Sequence, residues 1–433
     1  MQVGGWFFAR QWLARPPTDA RQHPGQRWQS GMGDLGQKMM NKHIIEKLTH
    51  QADARLSGPS GPFYVPGLIQ GEEVVVDDKM HPTIITPSPD RVSPICADAE
   101  LCGGCDLQHM NKQAQAFFKQ QVVAQALQRQ SLPLAAMKPI RQASKPQRRR
   151  ARWTINQHGT PCMHQKKSHA LVAPANCHIL DEELEDLRRL LADMHLEAGL
   201  TSGHLQATQC DNGIQLDYGR DCQADWDILS RRLAKENMIS GVFHGQKQKF
   251  GAPGFLDING HQFTLRPGVF LQPCREAADI MTELVLAEIS TKQHMLELFC
   301  GIGTFTAHLA TLGKVDAFEG NKTATDILSS AIPKIANITT RQRDLFKHPL
   351  SKAELVGYDL VLLDPPRDGA RRQAEELAQA PTNKIIYVSC NPVTFARDGR
   401  ILQEGGYQLH KVTPVDQFWH AHHVELVAVF SRW

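Results

Sequence analysis

The chain has 433 residues, 41% hydrophobic and 21% charged, with a formal net charge of +3. That length is too great for one typical core and predicts two or three globular domains. So small a charge neither demands nor excludes a nucleic-acid partner, and no apolar run reaches the roughly 18 residues of a membrane-spanning helix.

Trp6-Phe7-Phe8-Ala9-Arg10 lacks a long apolar core and a small-residue cleavage site, so it does not read as a signal peptide. Ten cysteines without export signals argue against a disulfide framework and predict a cytoplasmic protein with no membrane association. Residues 1–43 mix Gly, Gln, Pro, Arg and Trp without period and are expected to form a disordered extension. Residues 44–90 read as a small β module. Val65-Pro66-Gly67 and Gln70-Gly71 mark turns, and Glu72–Val76 and Thr83–Thr86 read as strands. A spacer role and an RNA-binding role are both open for it.

Cys96, Cys102 and Cys105 crowd into ten residues, and Gly103 and Gly104 let the chain curl around a bound group. A zinc finger would show two Cys-x2-Cys-like pairs, whereas a [4Fe–4S] cluster needs three close cysteines and a distant fourth. Cys162 and Cys177 are both candidates for that fourth ligand. The spacing differs from that of the radical enzymes that cleave S-adenosylmethionine. His109–Gln128 reads as a helix with a core-packing stripe of Met110, Phe118 and Val122. Arg148, Arg149, Arg150 and Arg152 lead into a strand with Trp153 among them. They make either a phosphate-contact surface or a solvated charged face. Residues 155–265, with a helix over Asp181–Ala198, read as an antiparallel α/β region.

The loop Arg266–Pro273 feeds a helix over Glu276–Ile289. Next comes an apolar strand, Met295–Phe299, a glycine turn, Cys300-Gly301-Ile302-Gly303, and a helical pattern over Phe305–Leu312. This order of strand, turn and helix suits a nucleotide-type ligand approaching the backbone, although the third glycine of the dinucleotide fingerprint is missing. Val315–Glu319 is a second strand ending in an acid placed to receive ribose hydroxyls, and Asp344 is placed to approach the base. Tyr358–Leu363 delivers Asp364-Pro365-Pro366-Arg367, and Lys384–Ser389 delivers Cys390-Asn391-Pro392. Chemistry in an open parallel sheet gathers at such carboxyl ends. Cys390 is either an inert core thiol or a nucleophile, with Arg367 lowering its pKa and Asn391 orienting a substrate amide. Glu425 opens the closing strand, and a surface salt bridge is its plainer role.

Leu363-Asp-Pro-Pro-Arg367, Tyr387-Val-Ser-Cys-Asn-Pro392 and His423-Val-Glu425, in that order, resemble the S-adenosylmethionine-dependent RNA uracil-5-methyltransferases, particularly the bacterial 23S rRNA members. Pro87–Val92, the three-cysteine segment, Arg149-Arg-Ala-Arg152 and the glycine turn match as well, and the likeness runs from about residue 44 to the C-terminus. The resemblance implies an α/β protein. It would have a Rossmann-like methyltransferase domain (109–139 and 263–433), a shortened TRAM-like β-barrel (44–90) and a central iron–sulfur, RNA-binding domain (91–108 and 140–262). It places the fourth cluster ligand at Cys177, and it carries cofactor contacts over to Gln272, Phe299, Thr304, Glu319, Asp344 and Asp364.

The implied mechanism is addition of Cys390 to C6 of an unstacked or flipped uridine, attack of C5 on the cofactor's methyl group, and proton removal by Glu425. The implied partner is 23S rRNA, with no obligate protein partner and a monomeric enzyme. The same chemistry on tRNA, and a non-enzymatic iron–sulfur protein that binds RNA or senses redox state, are the alternatives. A cytosine methyltransferase is disfavoured because its cysteine stands in a Pro-Cys context.

Overall fold

The computed structural model describes residues 41–432, apart from 59–60, 78–80, 146, 332–334 and 336. Most of the extension expected over 1–43 lies outside the described residues. Its last three residues do not belong to it, because β1 (Asn41–Ile44) already pairs as a strand. β2 (Ala54–Gly58), β3 (Gly61–Val65), β4 (Glu73–Val76) and β5 (Pro82–Thr86) follow. Their ladders make a three-stranded sheet, β1-β4-β5, and a β2-β3 hairpin around Ile45, Leu56, Val65 and Val74. No closed barrel is seen among the described residues.

The fully buried Glu72 ties this module to the chain that leaves it. Arg91 grips its carboxylate with two bonds of 2.6 and 2.7 Å, and the Ile69 and Ser88 amides donate to it as well. A buried carboxylate persists only with such a set of donors.

α1 (Lys112–Arg129) is capped by Asn111, whose side chain accepts from the Ala114 amide. β6 (Arg141–Gln142) then joins the large sheet described below. A second sheet takes β7 (Arg150–Ile155), β8 (Pro161–His164), β9 (Leu171–Val172), β10 (Gly203–Cys210), β11 (Gly213–Tyr218), β12 (Ile239–His244) and β13 (Lys247–Gly251). α2 (Glu182–Glu197) and α3 (Trp226–Leu233) supply Leu184, Leu187, Leu191 and Leu229 to its core. The expectation of an antiparallel region holds except at one pair. β11 and β12 run parallel, since α3 lies between them in sequence and carries the chain back to the same edge.

After the hairpin β14 (Phe255–Ile258) and β15 (His261–Thr264) comes α4 (Arg275–Leu286). The remaining elements are β16 (Gln293–Leu298), α5 (Thr306–Leu309), β17 (Gly313–Glu319), α6 (Lys322–Ala331), β18 (Ile338–Gln342), β19 (Leu360–Leu363), α7 (Arg371–Leu377), β20 (Lys384–Ser389), α8 (Pro392–Glu404), β21 (Gln408–Asp416) and β22 (Glu425–Ser431). Their sheet has the order β18-β17-β16-β19-β20-β22-β21-β6, parallel from β18 to β20. Strand order reverses between β16 and β19, the crevice where such sheets bind ligands. The helix expected over Phe305–Leu312 is only four residues long. β17 must begin at Gly313, opposite Gln293, so the chain turns out at Leu312.

α1 does more than pack. Its Val123 and Leu127 join the core formed by Phe395, Leu402 and Phe430, while its Lys119 is wholly buried. Lys119 Nζ donates to Asp416 Oδ1 at 2.5 Å and to the Phe418 carbonyl at 2.8 Å, fixing the turn that leaves β21. Removing one partner strands a buried charge, which costs about 3 kcal/mol. Lys119→Met should therefore lower the urea unfolding midpoint sharply, and Lys119→Met with Asp416→Asn should recover part of the loss.

Candidate active site

Five elements meet at one end of the large sheet. Ser389 pairs with Leu426 in the β20–β22 ladder, so the next residues outward, Cys390 and Glu425, lie on neighbouring strands. Cys390 is half-buried. Its thiol is pushed up to about 12 by burial and by the charges of Glu425 and Asp364, while Arg367 pulls the other way. In the ligand-free protein Arg367 is thus outweighed as an activator. Asn391 serves the local fold. Its side-chain oxygen accepts from the Val393 amide as the cap of α8, and its Nδ2 donates to the Arg367 carbonyl.

Glu425 is buried, and its pKa is raised to about 8 by burial first and then by Asp364; a hydrogen bond from Gln417 and the charge of Arg367 lower it. Burial and the charge of Glu319 push Asp364 up to about 7. A third acid, Glu297, sits one residue before the carboxyl end of β16 with no exposure. Burial raises its carboxyl to about 8, the Thr306 hydroxyl beside it pulls the other way, and the charges of Asp364 and Glu319 add to the rise. Its signal in the sequence was one acid inside an otherwise apolar strand. Gln417 and Lys119 carried no comparable signal.

The glycine turn has the geometry of a close approach. Phe299, Gly301 and Gly303 all have positive φ, of 63°, 57° and 99°. A Cβ on Gly301 would meet nothing within 4 Å, so space lies open there, whereas one on Gly303 would come within 2.8 Å of Leu328. Glu319 bonds the Gly301 amide at 2.9 Å and the Asn321 amide at 2.6 Å, so it shapes the turn as well as facing the cleft. Phe299 lies 5.5 Å from the Phe346 ring, and both line a cavity with Gly369, Arg372 and Arg397. Asp344 caps the turn before Phe346 by accepting from the Phe346 and Lys347 amides. Thr304 is partly exposed at the start of the short helix. Gln272 is buried, and its Oε1 accepts from Gln417 at 2.9 Å. The open space at Gly301, with the buried acids Asp364 and Glu425 at the same end of the sheet, fits a ligand that brings positive charge.

Cys96, Cys102, Cys105 and Cys177 line one cavity, which Cys162 does not reach. Cys162 instead donates to the Thr160 carbonyl from within the second sheet. Burial raises the thiols of Cys102, Cys105 and Cys177, the last to about 11, and the neighbouring thiols add to the effect. No group of three or more His, Cys, Asp or Glu among the described residues is disposed to hold a metal ion. This loop touches the catalytic end directly. The Asp106 and Leu107 amides donate to the His420 carbonyl, and Asp106 Oδ2 bonds His422 Nδ1 at 2.6 Å.

The arginine cluster divides. Arg148 lies over the Phe418 ring, within the influence of Cys105 and Cys177, and Arg149 donates to the Gln272 carbonyl. Arg150 stacks on Phe270, itself 65% exposed, and bonds Gln206, while Arg152 is exposed. Half of the expected phosphate surface is thus turned inward. No helix among the described residues is long and apolar enough to cross a membrane.

Residues 253–432 match the family model described as tRNA (Uracil-5-)-methyltransferase. The chain is 33% identical over 391 residues to an uncharacterized RNA methyltransferase of Brucella suis, covering 86% of this chain and 94% of the relative. It is 30% identical over 424 residues to the 23S rRNA (uracil(1939)-C(5))-methyltransferase RlmD of Vibrio cholerae, covering 90% and 95% of the two chains. In fold it is similar to the Pyrococcus abyssi tRNA (uracil-54, C5)-methyltransferase solved with S-adenosyl-L-homocysteine, with a TM-score of 0.70 at 20% identity, covering 90% of this chain and 99% of that one.

The buried acids make a testable mark on stability. Glu297 holds its proton to about pH 8 when folded but only to about 4.3 when unfolded. Between those values the folded state binds more protons, so this group's contribution to stability falls as pH rises. Glu297→Gln should remove that contribution. The gap in thermal midpoint between variant and wild type, both ligand-free, should widen in the variant's favour from pH 6 to pH 8.

Proposed function

Because this chain belongs to the RNA uracil-5-methyltransferase family, we propose that it methylates C5 of a uridine in 23S rRNA, with S-adenosylmethionine as donor. The observation that carries this reading is the placement of a thiol and a base, Cys390 and Glu425, on adjacent strands beside the cofactor crevice. Uracil C5 is a poor nucleophile until a thiolate adds to C6, and the product is freed only when the C5 proton leaves. Cys390 supplies the thiolate and Glu425 takes the proton. Arg367 favours the thiolate, as would any cation bound in the crevice. A carboxylate whose pKa lies near 8 can hold a proton at neutral pH and also release it, which suits turnover. S-adenosylmethionine, when bound, supplies an electrophilic methyl group on a sulfonium.

Gln272, Phe299, Thr304, Glu319, Asp344 and Asp364 would hold the cofactor around the Gly301 turn. The acids suit its cationic end, and the Phe299–Phe346 slot suits its base. RNA would lie across Arg150, Arg152 and the exposed Phe270, presenting a flipped or unstacked uridine. The near full-length likeness to the Vibrio relative favours rRNA, while the family model's description favours tRNA. Cys96, Cys102, Cys105 and Cys177 would hold a [4Fe–4S] cluster. Four thiols around one cavity, rather than drawn onto a point, suit a cluster better than a single zinc ion about 2.3 Å from each sulfur. Such a cluster would brace the loop that supports His420 and His422.

With labelled cofactor and rRNA from a strain lacking the gene, Cys390→Ala should give no transfer. Glu425→Gln should form the covalent RNA adduct on denaturing gels but turn over at least about 100-fold more slowly. Equal transfer by Cys390→Ala and wild type would remove the assignment, and mass spectrometry of rRNA and tRNA fragments would decide between the two substrates. Iron and sulfide analysis should find about four of each per chain. Cys177→Ser should lose them together with the visible absorbance, and Cys162→Ser should keep them.

A further inference from the structure

We propose that Gln417 is the positioning residue that holds Glu425 for removal of the C5 proton and couples that step to Gln272 in the cofactor crevice. The inference rests on the roles given above to Cys390 and Glu425.

Gln417 is 2% exposed and follows directly after β21. Its single amide nitrogen donates to Glu425 Oε1 at 2.7 Å and to Gln272 Oε1 at 2.9 Å. Both of its N–H groups are thereby used, in the orientation that donates to an ionised Glu425. Its backbone is held on both sides. Asp416 is clamped by Lys119, the Phe418 amide donates to Asp416, and the Phe418 carbonyl accepts from Lys119. The remaining atom, Gln417 Oε1, is buried without a partner.

This arrangement engages one carboxylate oxygen of Glu425 and leaves the other for the proton. In the step it serves, the C5 proton passes to the Glu425 carboxylate, and the C–H electron pair becomes the C5–C6 double bond. The C6–S bond breaks as that double bond forms, its electron pair returning to the Cys390 sulfur. Cys390, Asp364 and Arg367 are the charged and titratable groups that face Glu425, and Gln417 is its neutral donor. The bond from Gln417 favours the ionised carboxylate, so its loss raises the pKa of Glu425 and leaves less base at neutral pH.

The test compares wild type, Gln417→Met and Glu425→Gln as full-length proteins, on rRNA from a strain lacking the gene and on the same RNA transcribed with 5-fluorouridine. Fluorine at C5 cannot leave as a proton, so this second substrate reports adduct formation alone. The expected result for Gln417→Met is an unchanged rate of adduct formation on the fluorinated RNA. On normal RNA its product release should be about tenfold slower, with the acid limb of its pH profile moved to higher pH. Unchanged release with an unmoved limb overturns the proposal. So does an equal fall in adduct formation and release, which would mark Gln417 as merely structural. Absence of any Cys390 adduct in wild type would instead overturn the proposed function on which the inference rests.

Discussion

Glu297, Asp364 and Glu425 share one cleft at the ends of three strands, and burial raises the pKa of all three. Carboxylates gathered in a poorly solvated place repel one another and resist ionisation, so these acids hold their protons to higher pH. The sheet imposes this crowding, since Glu297 and Asp364 stand at the carboxyl ends of the parallel strands β16 and β19 and the antiparallel β22 begins with Glu425 at the same end. A cationic donor in that cleft relieves the repulsion, and the same charge favours the thiolate of Cys390. The raised pKa values of these acids and the site's suitability for a sulfonium have one cause, burial of carboxyl groups side by side.

Supports brought from distant parts of the chain hold the cleft in shape. Lys119 on α1 clamps the exit of β21, and Asp106 in the cysteine loop bonds His422 two residues after His420, whose φ is 60°. A non-glycine residue in that region is held there by its surroundings, and here two backbone amides and the Gln115 side chain bond His420. The segment from Asp416 to Glu425 is thereby fixed from α1 and from the cysteine loop at once. The cysteine loop thus reaches the candidate site through this contact.

The arginine run shows how burial redistributes what composition suggests. Four basic residues in five positions read as one surface, yet β7 alternates its faces, and the approach to it passes between the cysteine cavity and the catalytic turn. Arg148 and Arg149 are spent on internal contacts, and only the positions nearer the exposed Phe270 face outward.

What the residues alone determined was local. The apolar runs marked β16, β17, β19 and β20, the glycines marked the turn, and the residues after each strand marked the cleft, because a parallel sheet exposes chemistry at its carboxyl ends. Sequence periodicity could not show that Cys390 and Glu425 lie side by side, since that follows from the β20–β22 register across 35 positions. Nor could it separate Cys177, which lines the cavity of the other three thiols, from Cys162, which lies within the second sheet. Gln417, Lys119 and Glu297 escaped notice for one shared reason. Each is a polar side chain whose role depends on what surrounds it after burial, and that is decided only when the distant elements have packed.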